Sequence, residues 1–234
     1  ASAGIVDSGN VAVAGNVTLT TDAGNGVINM GTLQQSAGDL ILVTNGNGAA
    51  TVVNNAGIDF GTSNVGGALS ATASAGNITQ NGGAITVAGT SSFILGANSA
   101  NVVLDHASNA FSGAVTLLAG AGGSQAFGNV TFVDDSAVKI DANADAAGDL
   151  YLNAGTDGAV GGNLAVTATT GNITQGVAVA VTGTSAFTTS ATDATITLGT
   201  TTNALGGTVA FTTAGTAGNV VIDNGTTGLD LAAS

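Results

Sequence analysis

The sequence repeats itself, and this repeat constrains the fold more than any other feature. The segment Gly-Asn-Ile-Thr-Gln at 76–80 recurs unchanged at 171–175, 95 residues later. Flanking segments recur in the same order, since 89–93 resembles 183–187 and 109–113 resembles 203–207, now 94 residues apart. Ordered matches at a nearly constant offset indicate similar units stacked along an axis, because each unit then meets its neighbour in the same local geometry.

The repeat also predicts how the chain is organised. Weaker echoes before and after the two strong copies extend the cycle, and no linker or compositional break divides the sequence. We therefore predict one continuous repeat segment over 1–234, part of a longer array. Its copies span about 15–127, 128–217 and a partial 218–234. Insertions, for instance around 121–126, are expected in surface loops.

Within each cycle the local pattern has a period of two residues. In 129–133 and 162–167, large apolar residues alternate with Thr, Asn or Ala, which is typical of a strand with one buried face. Gly, Asn or Asp bounds these short runs, and no segment keeps a 3.6-residue apolar period. The sequence therefore predicts an all-β fold.

Two all-β architectures fit this pattern. An antiparallel β-sandwich would use turns such as Asn45-Gly46 and Asn81-Gly82. A parallel β-helix would stack one coil upon another, and the repeat favours it because like residues then line up along the axis. If strands of ordinary length and their turns take about 20 residues per coil, the chain makes about 11 or 12 coils. At about 4.8 Å per coil the solenoid is then roughly 50 to 60 Å long.

The charge composition excludes several functions. The chain has fourteen acidic residues, all Asp, against a single lysine, Lys139, and no arginine. Such a chain cannot neutralise a row of phosphates, so we expect no nucleic-acid partner and no docking on anionic membranes. No apolar stretch is long enough for a transmembrane helix, and direct membrane insertion is not expected. The absence of Cys removes disulfides and thiolate-bound zinc.

The repeat motifs resemble a known family. Gly-Asn-Ile-Thr-Gln, then Gly-Thr-Ser-x-Phe, then Asn-x-Phe-x-Gly-x-Val is similar to the repeats of the filamentous haemagglutinin family of exported bacterial surface proteins. The resemblance implies a right-handed parallel β-helix, an extracellular or cell-surface location, and a role in adhesion or fibre building. It fixes no catalytic residue. The acidic, Cys-free composition also resembles that of surface-layer proteins, which is the alternative.

Little in the sequence suggests an enzyme. Asp105, His106 and Ser108 are close in sequence, but a catalytic triad needs convergence in space, and we expect a solvated turn histidine. Asp134 and Asp135 would point to opposite faces of a strand, so they cannot jointly flank a glycosidic bond. We therefore predict no enzymatic activity, no catalytic or cofactor-binding residue, and no organic cofactor.

Calcium is the one candidate ligand. Asp141, Asn143, Asp145 and Asp149 offer oxygen ligands at alternating positions, as hard-cation loops do. The segment lacks the central Gly and the final Glu of an EF-hand. The competing interpretation is a solvated acidic loop that keeps the protein soluble.

The same period-two pattern predicts where other side chains point. Lys139 and Tyr151 should face outward and be exposed, while Phe93 and Phe187 should stack in the core. Asn residues at repeated corners, such as Asn77 and Asn172, could form hydrogen-bonded ladders.

These features together predict a structural and interaction protein of the bacterial surface, a β-helical shaft or fibre subunit that supports adhesion or filament formation. The expected partners are further repeats of the same chain, a second copy bound end to end, and a host or cell-surface receptor. End-to-end binding is expected because an open solenoid presents unpaired strand edges.

Overall fold

The fold is built from short strands whose residues alternate between the interior and the surface. The computed structural model describes residues 4–22, 24–120, 125–154 and 156–233. These residues form strands and turns, without a helix and therefore without a helix able to cross a membrane. Residues 121–124 of the insertion expected around 121–126 lie outside the described part. The strands are β1 Ile5–Val6, β2 Val11–Val13, β3 Val17–Thr20, β4 Ile28–Gln35, β5 Leu40–Val43, β6 Ala50–Asn54, β7 Ile58–Phe60, β8 Ser63–Val65, β9 Leu69–Ala73, β10 Ile78–Gln80, β11 Ile85–Val87, β12 Ser91–Leu95, β13 Val102–Leu104, β14 Ala110–Phe111, β15 Val115–Ala119, β16 Val130–Asp134, β17 Val138–Asp141, β18 Asp149–Ala154, β19 Thr156–Asp157, β20 Ala159–Val160, β21 Leu164–Ala168, β22 Ile173–Gln175, β23 Ala180–Val181, β24 Ser185–Thr192, β25 Ile196–Leu198, β26 Ala204–Leu205, β27 Thr208–Ala214, β28 Val220–Ile222 and β29 Asp230–Leu231.

The strands stack in parallel, coil upon coil. The first five steps along one side join residues 19 to 24 positions apart, and the residues in register are Ile5, Ile28, Ala50, Leu69, Ser91 and Val115. Among the described strands only β18 and β19 pair antiparallel. The predicted parallel β-helix is therefore confirmed, and the sandwich alternative is wrong.

The solenoid has about ten turns, fewer than the predicted 11 or 12. Most coils are longer than the assumed length, and the two central ones are longer still. Val102 pairs with Val130, and Val130 pairs with Leu164, so these coils take 28 and 34 residues. Such variation is possible because loops can lengthen while the strand-to-strand spacing is kept.

Three sheets run along the solenoid. The first has the order β1-β4-β6-β9-β12-β15-β18-β17-β22-β25-β28, with β2 and β19 at its side. The second has the order β14-β11-β8-β5-β7-β10-β13-β16-β21-β24-β27-β29, with β3 paired to β5. The third contains β20, β23 and β26.

The two copies of the repeat lie on different sides of the solenoid. Strands β9 and β12 of the first copy belong to the first sheet, whereas their counterparts β21 and β24 belong to the second. Conversely, β10 and β13 lie in the second sheet and their counterparts β22 and β25 in the first. The long central coils shift the second copy by one side, so the 95-residue repeat is not a whole number of coils.

The interior contains a row of aromatic rings in contact, edge-to-face around Phe93 and stacked between Phe111 and Phe132. Phe60, Phe93, Phe111 and Phe132 form a chain of ring contacts, with centroids 6.0, 5.9 and 5.5 Å apart in that order. Phe187 stacks on a further ring at 5.9 Å. Phe93 and Phe187 are fully buried, which confirms their predicted place in the core. Aromatic pairs at these distances add to the stabilisation from buried area.

Two buried serines provide a test of how the interior is stabilised. The hydroxyls of Ser91 and Ser63 are equally buried, each residue being 2% exposed. Ser91 Oγ has no hydrogen-bond partner, whereas Ser63 Oγ accepts from Leu42 N and donates to Gly61 O, both at 3.1 Å. A buried polar group without a partner is destabilising.

We expect S91A to raise the free energy of unfolding by about 0.5 to 1 kcal/mol and S63A to lower it by about 1 kcal/mol. Urea denaturation followed by circular dichroism measures both. A larger loss of stability in S91A than in S63A would contradict this account of the interior.

Candidate functional site

The predicted calcium ligands lie around a loop where the chain doubles back. Strands β17 and β18 are parallel neighbours joined by 142–148, and β18 lies between β15 and β17 in the first sheet. The ammonium of Lys139 forms an ion pair with Asp141 and lies 3.9 Å from Asp149 Oδ1. The single lysine of a chain without arginine therefore lies beside two of the four predicted ligands.

The other contacts of this loop are mainly to backbone. Asp149 is buried, and its Oδ2 accepts from Ala146 N at 2.8 Å, while Asp141 Oδ1 accepts from Ala142 N at 2.8 Å. Asn143 and Asp145 are exposed. Within the described ranges no group of three His, Cys, Asp or Glu side chains has a geometry that could hold a metal. Calcium binding at this loop stays a prediction.

The ion pair fixes the charges of its two members. The hydrogen bond to Asp141 raises the pKa of Lys139, and the same bond lowers the pKa of Asp141. Both groups are therefore charged at neutral pH. Lys139 is exposed, as predicted, whereas outward-facing Tyr151 is half-buried between the neighbouring strands.

Asp134 is a buried acid whose carboxylate accepts hydrogen bonds from the neighbouring coil and from its own turn. Its Oδ1 accepts from Phe111 N and Asp135 N, both at 2.9 Å, and its Oδ2 accepts from Ser136 Oγ at 2.7 Å. One coil earlier, Asn109 Oδ1 accepts the corresponding backbone N–H. Burial raises the pKa of Asp134. Asp135 is exposed, so the two carboxylates point apart, as predicted.

The two strongest motifs contact each other inside the solenoid. Gln80, the last residue of Gly-Asn-Ile-Thr-Gln, donates to Asn109 Oδ1 at 2.6 Å, and Asn109 Nδ2 donates back to Gln80 Oε1 at 2.9 Å. In the second copy Gln175 and Asn203 make the same pair at 2.8 and 3.0 Å. Sequence reasoning missed this contact, although both partners recur in both copies.

Asparagines at the corners link one coil to the next. The Oδ1 atoms of Asn77, Asn101, Asn129 and Asn163 accept the backbone N–H of the next coil at 2.7 to 2.9 Å. Asn172 Oδ1 does the same at 2.8 Å. The predicted Asn ladders are therefore confirmed, as side-chain to backbone ladders. The glycines before Asn77 and Asn172 have φ of 88° and 96°, a conformation that favours Gly.

His106 is a turn residue. Its Nδ1 accepts from Ser108 N at 3.1 Å, and its own backbone N–H donates to Gln80 Oε1 at 3.2 Å. The ring nitrogen nearest the backbone is thus engaged locally, as expected for a turn histidine.

The exposed large apolar side chains are concentrated at the two ends of the solenoid. Those of the described residues are Val6, Val27, Val220, Val221, Leu229 and Leu231. Val220 and Leu231 align with the fully or almost fully buried Ile196 and Val209 of the preceding coil. They are exposed because no coil lies on their outer side, where β28 and β29 end the first and second sheets.

Comparison with known proteins identifies a repeat family. A family model described as repeats of unknown function (DUF5649) matches residues 46–118 and 127–212. A search of curated proteins and a search of solved structures found no match.

Asp134 predicts a characteristic pH dependence. A carboxyl whose pKa is raised in the folded state contributes stability that is present below its ordinary pKa and is lost as the pH rises through the folded value. D134N keeps an acceptor for Phe111 N, as Asn109 does for Ile85 N, and carries no charge.

We expect D134N to be more stable than the wild type near neutral pH, with the difference vanishing below about pH 4, the ordinary range of an Asp carboxyl. Thermal melts over pH 3 to 8 measure this. The exposed Asp105, which lies outside this contact, serves as control, and D105N should follow the wild-type profile. If the D134N profile also follows the wild type, the raised pKa of Asp134 does not contribute to the pH dependence of stability.

If calcium binds at the acidic loop 142–148, it competes with the ammonium of Lys139 for the carboxylates of Asp141 and Asp149. K139M removes the ammonium beside Asp141 and Asp149, so we expect calcium at millimolar concentration to raise the melting temperature of K139M more than that of the wild type. Calorimetric titration and thermal melts measure this, with D149N as the variant that should lose the response. If neither protein gives heat or a rise in melting temperature, calcium is not a ligand.

Proposed function

Because the chain belongs to the DUF5649 family of repeats of unknown function, we propose its role from its own structure. The protein is a structural and interaction protein of the bacterial cell surface. It is a β-helical shaft or fibre subunit, similar to the shafts of filamentous haemagglutinins, and supports adhesion or filament formation outside the cell. Its activity is mechanical and not enzymatic.

The observation that carries this proposal is the continuity of the coil-to-coil contacts. Backbone hydrogen bonds join almost every strand to the strands above and below it, and the buried apolar residues form one connected cluster from Val17 to Val209. Bending the solenoid would stretch ladder bonds on one side and compress the interior on the other. About ten coils at about 4.8 Å give a stiff unit about 48 Å long.

The ends of the solenoid favour growth along its axis. Strands β28 and β29 expose apolar side chains at inward positions and leave one edge of each sheet unpaired. Paired edges and buried apolar residues are what every internal coil provides to its neighbour, so the occupant that fits this end is another coil of the same kind. It comes from further repeats of the same chain or from a second copy bound end to end.

The sides of the solenoid disfavour lateral contact between copies. The formal net charge is −13, and the chain contains one cation to offset it. Like charges on the flanks keep parallel rods apart, whereas the ends present exposed apolar side chains and unpaired strand edges to each other. An adhesive role would place a receptor contact elsewhere on the assembly, at the end of the shaft.

Electron microscopy of native material tests the proposal. We expect long, narrow filaments or shafts without a bound ligand. L231D places a charge at the exposed end and should shorten the assemblies, whereas T197D, on the exposed side of β25, should not.

Compact monomers of 21.9 kDa in the native material would contradict a fibre role. A two-dimensional lattice that dissolves on calcium removal would contradict the shaft and favour a surface-layer protein instead.

A further inference from the structure

Four exposed asparagines share one local sequence and one position relative to the strand that follows them. Asn16, Asn77, Asn129 and Asn172 each stand directly before a strand, and each begins Asn-Val-Thr or Asn-Ile-Thr. This is the Asn-x-Thr pattern at which sugars are attached to the side-chain amide nitrogen. All four side chains are exposed.

In each of these side-chain amides the carbonyl oxygen accepts a hydrogen bond, whereas the amide nitrogen does not donate one to the described residues. The Oδ1 atoms of Asn16, Asn77, Asn129 and Asn172 accept a backbone N–H of the next coil at 3.0, 2.8, 2.9 and 2.8 Å. Within the described part of the chain, none of the four Nδ2 atoms has a hydrogen-bond acceptor. A sugar on Nδ2 leaves the carbonyl in place, so the corner ladder survives the modification.

The strand that follows places the threonine on the same side as the asparagine. Successive side chains of a strand alternate, so positions one and three of the motif share a face. The middle residues Val17, Ile78, Val130 and Ile173 are buried, at 7, 0, 1 and 0% exposure. The four threonines therefore lie on the outer face beside the four amides, with Thr18 exposed and Thr79, Thr131 and Thr174 half-buried.

We propose that Asn16, Asn77, Asn129 and Asn172 are sites of N-linked glycosylation. The donor is a sugar activated on a phosphate, carried by a nucleotide or a lipid, and a separate transferase acts on the chain. The Nδ2 atom forms a bond to the anomeric carbon, and the bond from that carbon to the phosphate oxygen breaks. The phosphate leaves with the electron pair, and a base of the transferase takes one Nδ2 proton.

A fifth Asn-x-Thr motif lies where the fold excludes a sugar. Asn224 begins Asn-Gly-Thr, but it is 7% exposed. Its Nδ2 donates to Leu205 O, Thr227 O and Gly228 O, each at 3.2 Å. A sugar on this nitrogen would break these buried contacts, so the motif alone does not make Asn224 a site.

The positions of the sites suggest what the sugars do. Asn16, Asn77 and Asn129 precede β3, β10 and β16 of the second sheet, and β5, β7 and β13 lie between these strands. Asn16 and Asn129 are thus five strand spacings apart, about 24 Å along the axis. Sugars there would form a neutral, hydrated row on one corner of an acidic solenoid.

Mass spectrometry of the protein purified from the cells that produce it tests the proposal. We expect peptides that carry Asn16, Asn77, Asn129 and Asn172 to show sugar mass increments, and the peptide that carries Asn224 to show none. Two substitutions in neighbouring coils separate the motif from the ladder. T131V removes the motif at Asn129 and keeps its ladder contact, while A165T completes an Asn-x-Thr motif at Asn163.

Asn163 is exposed, and its Oδ1 accepts Thr184 N at 2.9 Å, so it matches the four sites in every respect except the threonine. We expect T131V to lose the sugar at Asn129 and A165T to gain one at Asn163. Unmodified asparagines at all four positions, or a sugar on Asn224, would overturn the proposal. Circular dichroism should show both variants folded, because residues 131 and 165 lie on the outer side of paired strands.

Discussion

The structure depends on one constraint, which is that successive coils lie on each other in parallel and in register. Each strand then repeats the inward and outward pattern of the strand below it, and an apolar residue in one coil meets an apolar residue in the next. Phe93 contacts Phe60 on one side and Phe111 on the other, so the core is a continuous row along the axis that lengthens with each added coil. A chain with little charge and no disulfide obtains its stability from this arrangement.

The sequence was sufficient to predict the architecture, because strand period and repeat are local or periodic signals. The pair between Gln80 and Asn109 was not predictable in the same way, since it joins residues 29 positions apart whose meeting depends on coil length. The number of coils and the change of side between the two copies were missed for the same reason. At the acidic loop the outward position of Lys139 was predicted. No sequence pattern predicted that β18 would pair with β17 and bring Asp149 close to Lys139 and Asp141.

Uncharged polar side chains inside the solenoid provide the hydrogen-bond acceptors that its buried backbone N–H groups need. Asn109 and Asn203 each satisfy a backbone N–H of the neighbouring coil and a glutamine side chain, without the desolvation cost of a buried charge. Asp134 is the exception, since it makes the same backbone contact with a carboxyl group whose pKa is raised by burial. The repeat thus uses a neutral amide where it can, and the one acid at such a position makes the fold sensitive to pH.

The corner ladder explains how the solenoid tolerates the change of side between its two copies. The line from Asn101 through Asn129 and Asn163 to Thr184 crosses that junction without interruption, although the coils it joins differ in length and in motif. Each step needs only a side-chain carbonyl at one corner and a backbone N–H one strand spacing above it. Such a contact is independent of which part of the repeat supplies the strand, so insertions alter the path of the loops and leave the stacking intact. Register is therefore held by the backbone and the corners, and the outward side chains are free to differ from coil to coil.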